Sequence, residues 1–372
     1  MIERQLEVGE DEFDDVEPHL VDGVHLTFDL DDVTRLQRTL EEQEHATDEI
    51  GQHLAQTEAD TDPLSAGDRP SPRPPSCPPW VAHPRNTMGL VDSEPAFPVP
   101  TSLSPSRVSS FTSCPMQFRF SSIEKLPEAP GVATTRGTIV HRALELLFVR
   151  PAADRTPAAL DTDLTIALDE YRAHPDYAGL RLDEEAANEF ERDCRALIEP
   201  YFAMEDPTTV REIGIELRME AQVGSLTLRG VIDRLELDDD GELVVTDYKT
   251  GRAPSGNYEQ KSLAGVHFYS FLCEAVLGRR PSRIRLMYLK TGETIETVPS
   301  EQSVRFITTR TNAVWSAVER ACSTGDFRPR QSALCNYCSF KAWCPAFGGD
   351  PAEAAVGARE AYDQIFVEQT AA

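Results

Sequence analysis

The chain has no hydrophobic run long enough to cross a bilayer. Nowhere in its 372 residues do 18 apolar residues follow one another, so no membrane-spanning helix is expected. It also lacks a secretory start. The opening MIERQLEVGEDEFDD is acidic where such a signal is basic and then apolar, which points to a cytoplasmic protein. Positive charge is scarce: 36 Lys and Arg face 63 Asp and Glu, a net of −27. On composition alone this is not a nucleic-acid binder, which would carry a basic surface. No Gly–x4–Gly–Lys–Ser/Thr loop occurs, so the chain is no nucleotide-driven helicase by itself. A helicase partner would have to be a separate chain.

The acidity that is present is uneven. Residues 1–95 hold 23 acidic and 6 basic side chains, a net of −17, and the rest carries −10. Residues 1–50 read as an acidic N-terminal extension in which DDVTRLQRTLEEQEHA suits one helix. Residues 51–100 are rich in Pro, Ser, Asp and Thr. Such a segment buries too little apolar surface to offset its ordering entropy and reads as a disordered linker. Order is expected over 101–348, with 349–372 as a C-terminal tail.

Within the ordered part, Ser104 and Pro105 suit an N-cap and first helical position, and a second helix is expected after Pro115. RGTIVHRALELLF has helical spacing and predicts a helix from about 137 to 149. Helices continue through 158–204. Then the period changes: EIGIELRMEAQV, LTLRGVIDRLEL and ELVVTDYKT read as three strands joined at hairpin lengths. A helix ending near Gly278, a strand RIRLMYLKTGE and a helix around 301–322 follow. This order predicts an α/β fold with a mixed sheet flanked by helices.

The third strand places Asp247 and Lys249 two residues apart, hence on one face. Burying such a pair is unfavourable by several kcal/mol per ion unless both are paired or bound. If the strands pair through DDDG, Asp233 of the second strand comes beside Asp247. The preceding helix offers His141. Two close carboxylates repel unless a cation sits between them. Oxygen ligands suit Mg²⁺ or Mn²⁺, and an imidazole tilts the choice toward Mn²⁺. Such an ion with Lys249 beside it suits phosphodiester hydrolysis.

GVIDRLELDDDGELVVTDYKTG resembles the core of RecB-family nucleases in the PD-(D/E)XK superfamily, and RGTIVHRALE resembles their upstream Gly–x–x–x–His helix. The resemblance spans roughly 100–348. It implies a restriction-endonuclease-like core and a DNA nuclease acting on single-stranded ends in repair or end processing. His141, Asp233 and Asp247 are the implied metal ligands, with the Tyr248 carbonyl as a further one and Lys249 catalytic. Glu216 matches an acidic position on the first core strand. The family's Gln–x–x–x–Tyr helix motif is altered here: Tyr269 is present, but Gly265 stands four residues before it, with Gln260 and Lys261 farther up. A non-catalytic DNA-binding protein that keeps the fold, and a nuclease of CRISPR adaptation, are the alternatives.

LCNYCSFKAWCPAF supplies Cys335, Cys338 and Cys344, and Cys114 offers a fourth thiolate 221 positions before Cys335. Four thiolates hold Zn²⁺ or an iron–sulfur cluster, and spacing alone favours zinc. The one-plus-three arrangement around such a core resembles the iron–sulfur nucleases of the RecB type, which implies a [4Fe–4S] cap. Phe340 and Trp343 read as packing around that site, with base stacking as the other reading. Arg279, Arg280, Arg283, Arg285 and Lys290, with Arg328 and Arg330, are local positive charge suited to DNA phosphates.

Overall fold

The computed structural model describes residues 95–367 apart from 224, 225, 255 and 256. The extension 1–50 and the linker as far as 94 lie outside the described residues. So do the side chains of Gln260, Lys261 and Gly265.

The chain enters through β1 (Ser102–Leu103), α1 (Pro105–Ser113) and α2 (Pro115–Phe118). Ser104 caps α1 as its sequence requires: its Oγ accepts the Arg107 N–H at 3.3 Å, and Pro105 opens the helix. The long helix α3 (Val132–Val149) starts five residues before the expected 137. Its first turn, VATT, is too polar to show an apolar period. There follow α4 (Pro157–Arg172), α5 (Pro175–Gly179), α6 (Glu184–Ile198) and α7 (Tyr201–Met204). The three expected strands are β2 (Arg211–Val223), β3 (Leu226–Leu237) and β4 (Leu243–Lys249). Then come α8 (Asn257–Leu277), β5 (Arg283–Tyr288), β6 (Glu293–Thr297) and α9 (Glu301–Thr324). Short 3₁₀ turns between 333 and 353 lead into α10 (Ala354–Val367).

One mixed sheet runs in the order β1-β3-β4-β5-β6, with β2 on the other side of β3. The hairpins β2–β3, β3–β4 and β5–β6 are antiparallel. Strands β4 and β5 are parallel, which needs a crossover, and α8 supplies it. Sequence patterning missed β1, whose two residues are too few for any period. It also missed β6, a polar edge strand of the kind that resists stray pairing.

The sheet separates two cores. On one face, Phe111, Phe118, Leu272, Val318 and Phe340 pack against Leu217, Ile232, Val245 and Leu286. On the other, Ile139, Leu144, Leu164, Cys194 and Tyr201 of the helical half pack against Ile215, Tyr248 and Met287. The expected tail contains a helix. Residues 354–367 form α10, and its Ala354 and Ala358 are buried in the first core. Small residues one turn apart let the helix approach closely, a signal that carries no strong hydrophobic period.

Candidate active site

Strands β3 and β4 pair only from Leu237–Leu243 to Arg234–Thr246. Beyond that point they diverge, and Asp233 and Asp247 stand at the mouth of the fork. The Tyr248 N–H turns to the Asp233 carboxylate instead of a strand partner, donating to Oδ2 at 2.7 Å. On the other side of β3, Glu216 of β2 has a positive φ of 46°, a strained region for a residue with a Cβ. Side-chain alternation reverses there. Leu217 and Ile232 enter the first core, whereas Ile215 enters the second.

Helix α3 brings His141 over this break. Its Nδ1 is 3.5 Å from Asp233 Oδ2 and 3.9 Å from Glu216 Oε1. His141, Glu216 and Asp233 each offer a ligand atom, and all three atoms lie within 4.8 Å of one another. Gly137, one turn before His141, explains the helix motif. A Cβ there would come within 3.2 Å of Thr250 Oγ1, a tight contact that the Thr250 side chain would have to relieve by a small shift. Lys249 Nζ forms an ion pair with Asp247 Oδ2 at 2.5 Å. Asp247 is nearly fully buried; Lys249 keeps part of its side chain in solvent.

The electrostatics suit a divalent cation. Burial pushes the Asp247 carboxyl up to about 6, with Lys249 opposing and Asp233 adding to the rise. Burial likewise raises Asp233, against the pull of His141. For His141 burial acts downward, but Asp233 and Glu216 outweigh it and hold the imidazolium to about 9. Three carboxylates thus share one lysine and one proton on His141. A divalent ion in place of that proton would satisfy the donor set, with the charge and oxygen ligands that Mg²⁺ or Mn²⁺ prefers.

Sequence reasoning missed the support behind the site. Arg234 is completely buried and gives Nη1 to Glu205 Oε1 at 2.5 Å and to the Tyr248 hydroxyl at 2.7 Å. Its Nε pairs with Glu236 Oε2 at 2.5 Å. Arg285 joins the same group, 3.2 Å from Glu205 and 3.3 Å from Glu236. The signal was present: Arg234 and Glu236 alternate on one face of the strand among Ile232, Leu235 and Leu237.

Other expected residues lie elsewhere. Tyr269 is partly buried with its ring against Gly230, three residues before Asp233 on the same strand. Arg283 pairs with Val244, whereas Asp247 pairs with Leu286, so Arg283 is about 10 Å along the strand from the fork. Arg279 faces Glu242, Arg280 faces Glu274 and Arg283 faces Asp238. These guanidiniums therefore already neutralise carboxylates, and Arg285 is part of the buried network.

The four cysteines do converge. Cys114, Cys335, Cys338 and Cys344 line one pocket with Met116, Phe120 and Phe340. The Arg330 N–H points at Cys114 Sγ (3.4 Å) and the Ser332 N–H at Cys335 Sγ (3.3 Å). Among the described residues, no three of these sulfurs come within 4.8 Å of one another. Phe340 is buried against Phe120, with ring centroids 5.2 Å apart. The Trp343 indole abuts Gly357 of α10. Both rings pack rather than face solvent.

A mixed sheet with a histidine, carboxylates and a lysine gathered at its fork is the core of a nuclease. Residues 102–345 match the model of the PD-(D/E)XK nuclease superfamily, and the chain belongs to it. It is 24% identical over 269 residues to the gene 69 protein of Mycobacterium phage D29, covering 65% of this chain and 96% of the phage protein. Among solved structures, a candidate exonuclease from Eubacterium rectale shares 8% identity at a TM-score of 0.42, covering 64% of this chain and 87% of its own. The protein SSO0001 shares 15% at a TM-score of 0.31, covering 69% and 89%. The assignment rests on the superfamily match. No helix among the described residues is long and apolar enough to cross a membrane.

Proposed function

We propose that this chain is a Mg²⁺- or Mn²⁺-dependent DNA nuclease acting on single-stranded ends in DNA repair or end processing. The observation that carries this reading is the meeting of His141, Glu216 and Asp233 within 4.8 Å, at the fork where Asp247 holds Lys249. His141, Glu216, Asp233 and Asp247, with the Tyr248 carbonyl, would hold the ion. When bound, it supplies the Lewis acidity that makes water a nucleophile at neutral pH. The residues themselves do the rest. Asp233 and the Tyr248 amide fix the fork, Asp247 holds the Lys249 ammonium, and Lys249 orients water or meets the charge developing on the phosphate.

The cysteine pocket is read as the seat of a structural [4Fe–4S] cluster. The four thiols lining one pocket and the N–H groups aimed at two of the sulfurs support this reading. Binding would tie α1 to the loop before α10 across more than 200 residues, by analogy a stabilisation of about 5 kcal/mol.

One anaerobic preparation tests both parts. The protein should be brown, contain iron, and digest end-labelled single-stranded DNA with Mn²⁺ but not with EDTA. A colourless, zinc-loaded protein rejects the cluster. No metal-dependent digestion rejects the nuclease.

A further inference from the structure

Between Asp326 and Asp350 the chain carries no carboxylate side chain, although the protein as a whole is strongly acidic. That stretch holds Arg328, Arg330 and Lys341. It also holds large apolar side chains in solvent: Tyr337 is 87% exposed, Leu334 65% and Phe347 46%. Leu334 and Tyr337 belong to one 3₁₀ turn, Ala333–Tyr337, where residues three apart eclipse and share a face. Lys341 brings a cation to the same loop, its Nζ 3.2 Å from Asn336 Oδ1 and 4.9 Å from the Phe347 ring centroid. Packing does not account for the exposed ring, because Phe340 and Trp343 already fill the space beneath the loop. The turn is anchored by its own capping bonds and by the buried Phe340. The ring is thus offered from a fixed base, and little side-chain entropy remains to be lost on contact.

We propose that Tyr337, with Leu334 eclipsing it and Lys341 alongside, is a stacking platform for an unpaired base of single-stranded DNA. The proposal rests on the nuclease reading for the identity of its substrate. A solvent-facing ring can stack on the face of a base only where that face is open, as in an unpaired strand. The local cations and the missing carboxylates favour a phosphate backbone beside it. Duplex DNA hides its base faces along its length, and another copy of this chain would bring net negative charge to the same cations.

The test uses the full chain in EDTA, where no turnover occurs. Anisotropy would follow binding of a labelled oligothymidylate of about 20 nucleotides and of an abasic strand of equal length and charge. Wild type should bind the thymidylate about tenfold more tightly than the abasic strand. Tyr337→Ala should lose that difference, and Tyr337→Trp should restore it. An alanine variant that binds like wild type overturns the platform, as does a wild type blind to the missing bases. So does a concentration-dependent dimer that Tyr337→Ala abolishes while DNA binding stays unchanged. Cleavage of the same strand by wild type with Mn²⁺ is scored separately. Its absence with binding intact removes the nuclease reading and leaves the platform standing. The reverse pattern removes the platform alone.

Discussion

Glu205 and Asp247 are carboxylates of similar burial, and both belong to charge clusters around Tyr248. Yet their protons are held in opposite directions. For Glu205 burial acts upward, but the Arg234 guanidinium outweighs it and keeps the carboxylate ionised. For Asp247 burial wins over Lys249, and Asp233 adds to it. Behind the sheet, Arg234 and Arg285 balance Glu205 and Glu236. At the fork, three carboxylates have one ammonium and one imidazole among them. A charge cluster whose members satisfy one another is scaffold. One that its own residues leave unbalanced is built for something that arrives. The comparison therefore separates support from chemistry without reference to any ligand.

The largest expected effect tests the unbalanced side. Lys249→Ala should lower Mn²⁺-dependent cleavage of labelled single-stranded DNA by about 10³-fold, as removal of a preorganised charge-stabilising group does. Because the buried Asp247 loses its partner, the thermal midpoint should fall somewhat, and cleavage is measured well below it, where the variant is folded. Undiminished cleavage would refute the assigned site. The balanced side should respond in the opposite sense. Glu205→Gln strands the buried Arg234 and should lower stability by about 3 kcal/mol in a urea titration. If its denaturation midpoint matches wild type, the network is not the support claimed for it.

Proton competition gives a third, smaller effect. In the metal-free protein the His141 imidazole keeps its proton up to about pH 9, and a ligating nitrogen must be free of it. Each binding event then expels a proton, so lowering the pH weakens binding. The Mn²⁺ concentration that raises the thermal midpoint should fall about tenfold for each pH unit between roughly pH 7 and 8.5. His141→Ala should flatten that slope. A wild-type slope that is already flat would place the imidazole outside the donor set.

Much of the site was legible because it lies on regular elements. Asp247 and Lys249 follow from strand period, Asp233 from hairpin pairing, and His141 from a helical face. What did not show was whatever depends on a broken period or a distant partner. Glu216 was reached only through the family resemblance: it sits where strand alternation reverses at a positive φ, so no alternation rule could have pointed it at His141. Arg285 read as positive charge for DNA because Glu205, its partner, lies 80 residues earlier. Arg279, Arg280 and Arg283 likewise have acidic partners that only the fold brings together. Helix α10 was missed because it packs through alanines. The cysteines were legible as a set, since their chemistry marks them whatever element they occupy.

The finest test of the comparison concerns stability in the absence of metal. Asp233 is a buried carboxylate whose folded pKa is raised by burial despite the pull of His141. A group with a raised acidic pKa destabilises the fold once the pH is high enough to ionise it, and adds nothing when protonated. At neutral pH in EDTA the ionised Asp233 is therefore a burden on the folded state. Asp233→Asn keeps an oxygen to accept the Tyr248 N–H and removes the charge. It should raise the thermal midpoint by about 2 °C while eliminating metal-induced stabilisation. The gain should vanish at low pH, where the wild-type carboxyl is neutral as well. The equivalent change behind the sheet, Glu205→Gln, lowers the midpoint under the same conditions. If both substitutions were to shift it in the same direction, the fork would be another structural ion cluster, and its resemblance to a reaction centre would be a matter of residue type alone.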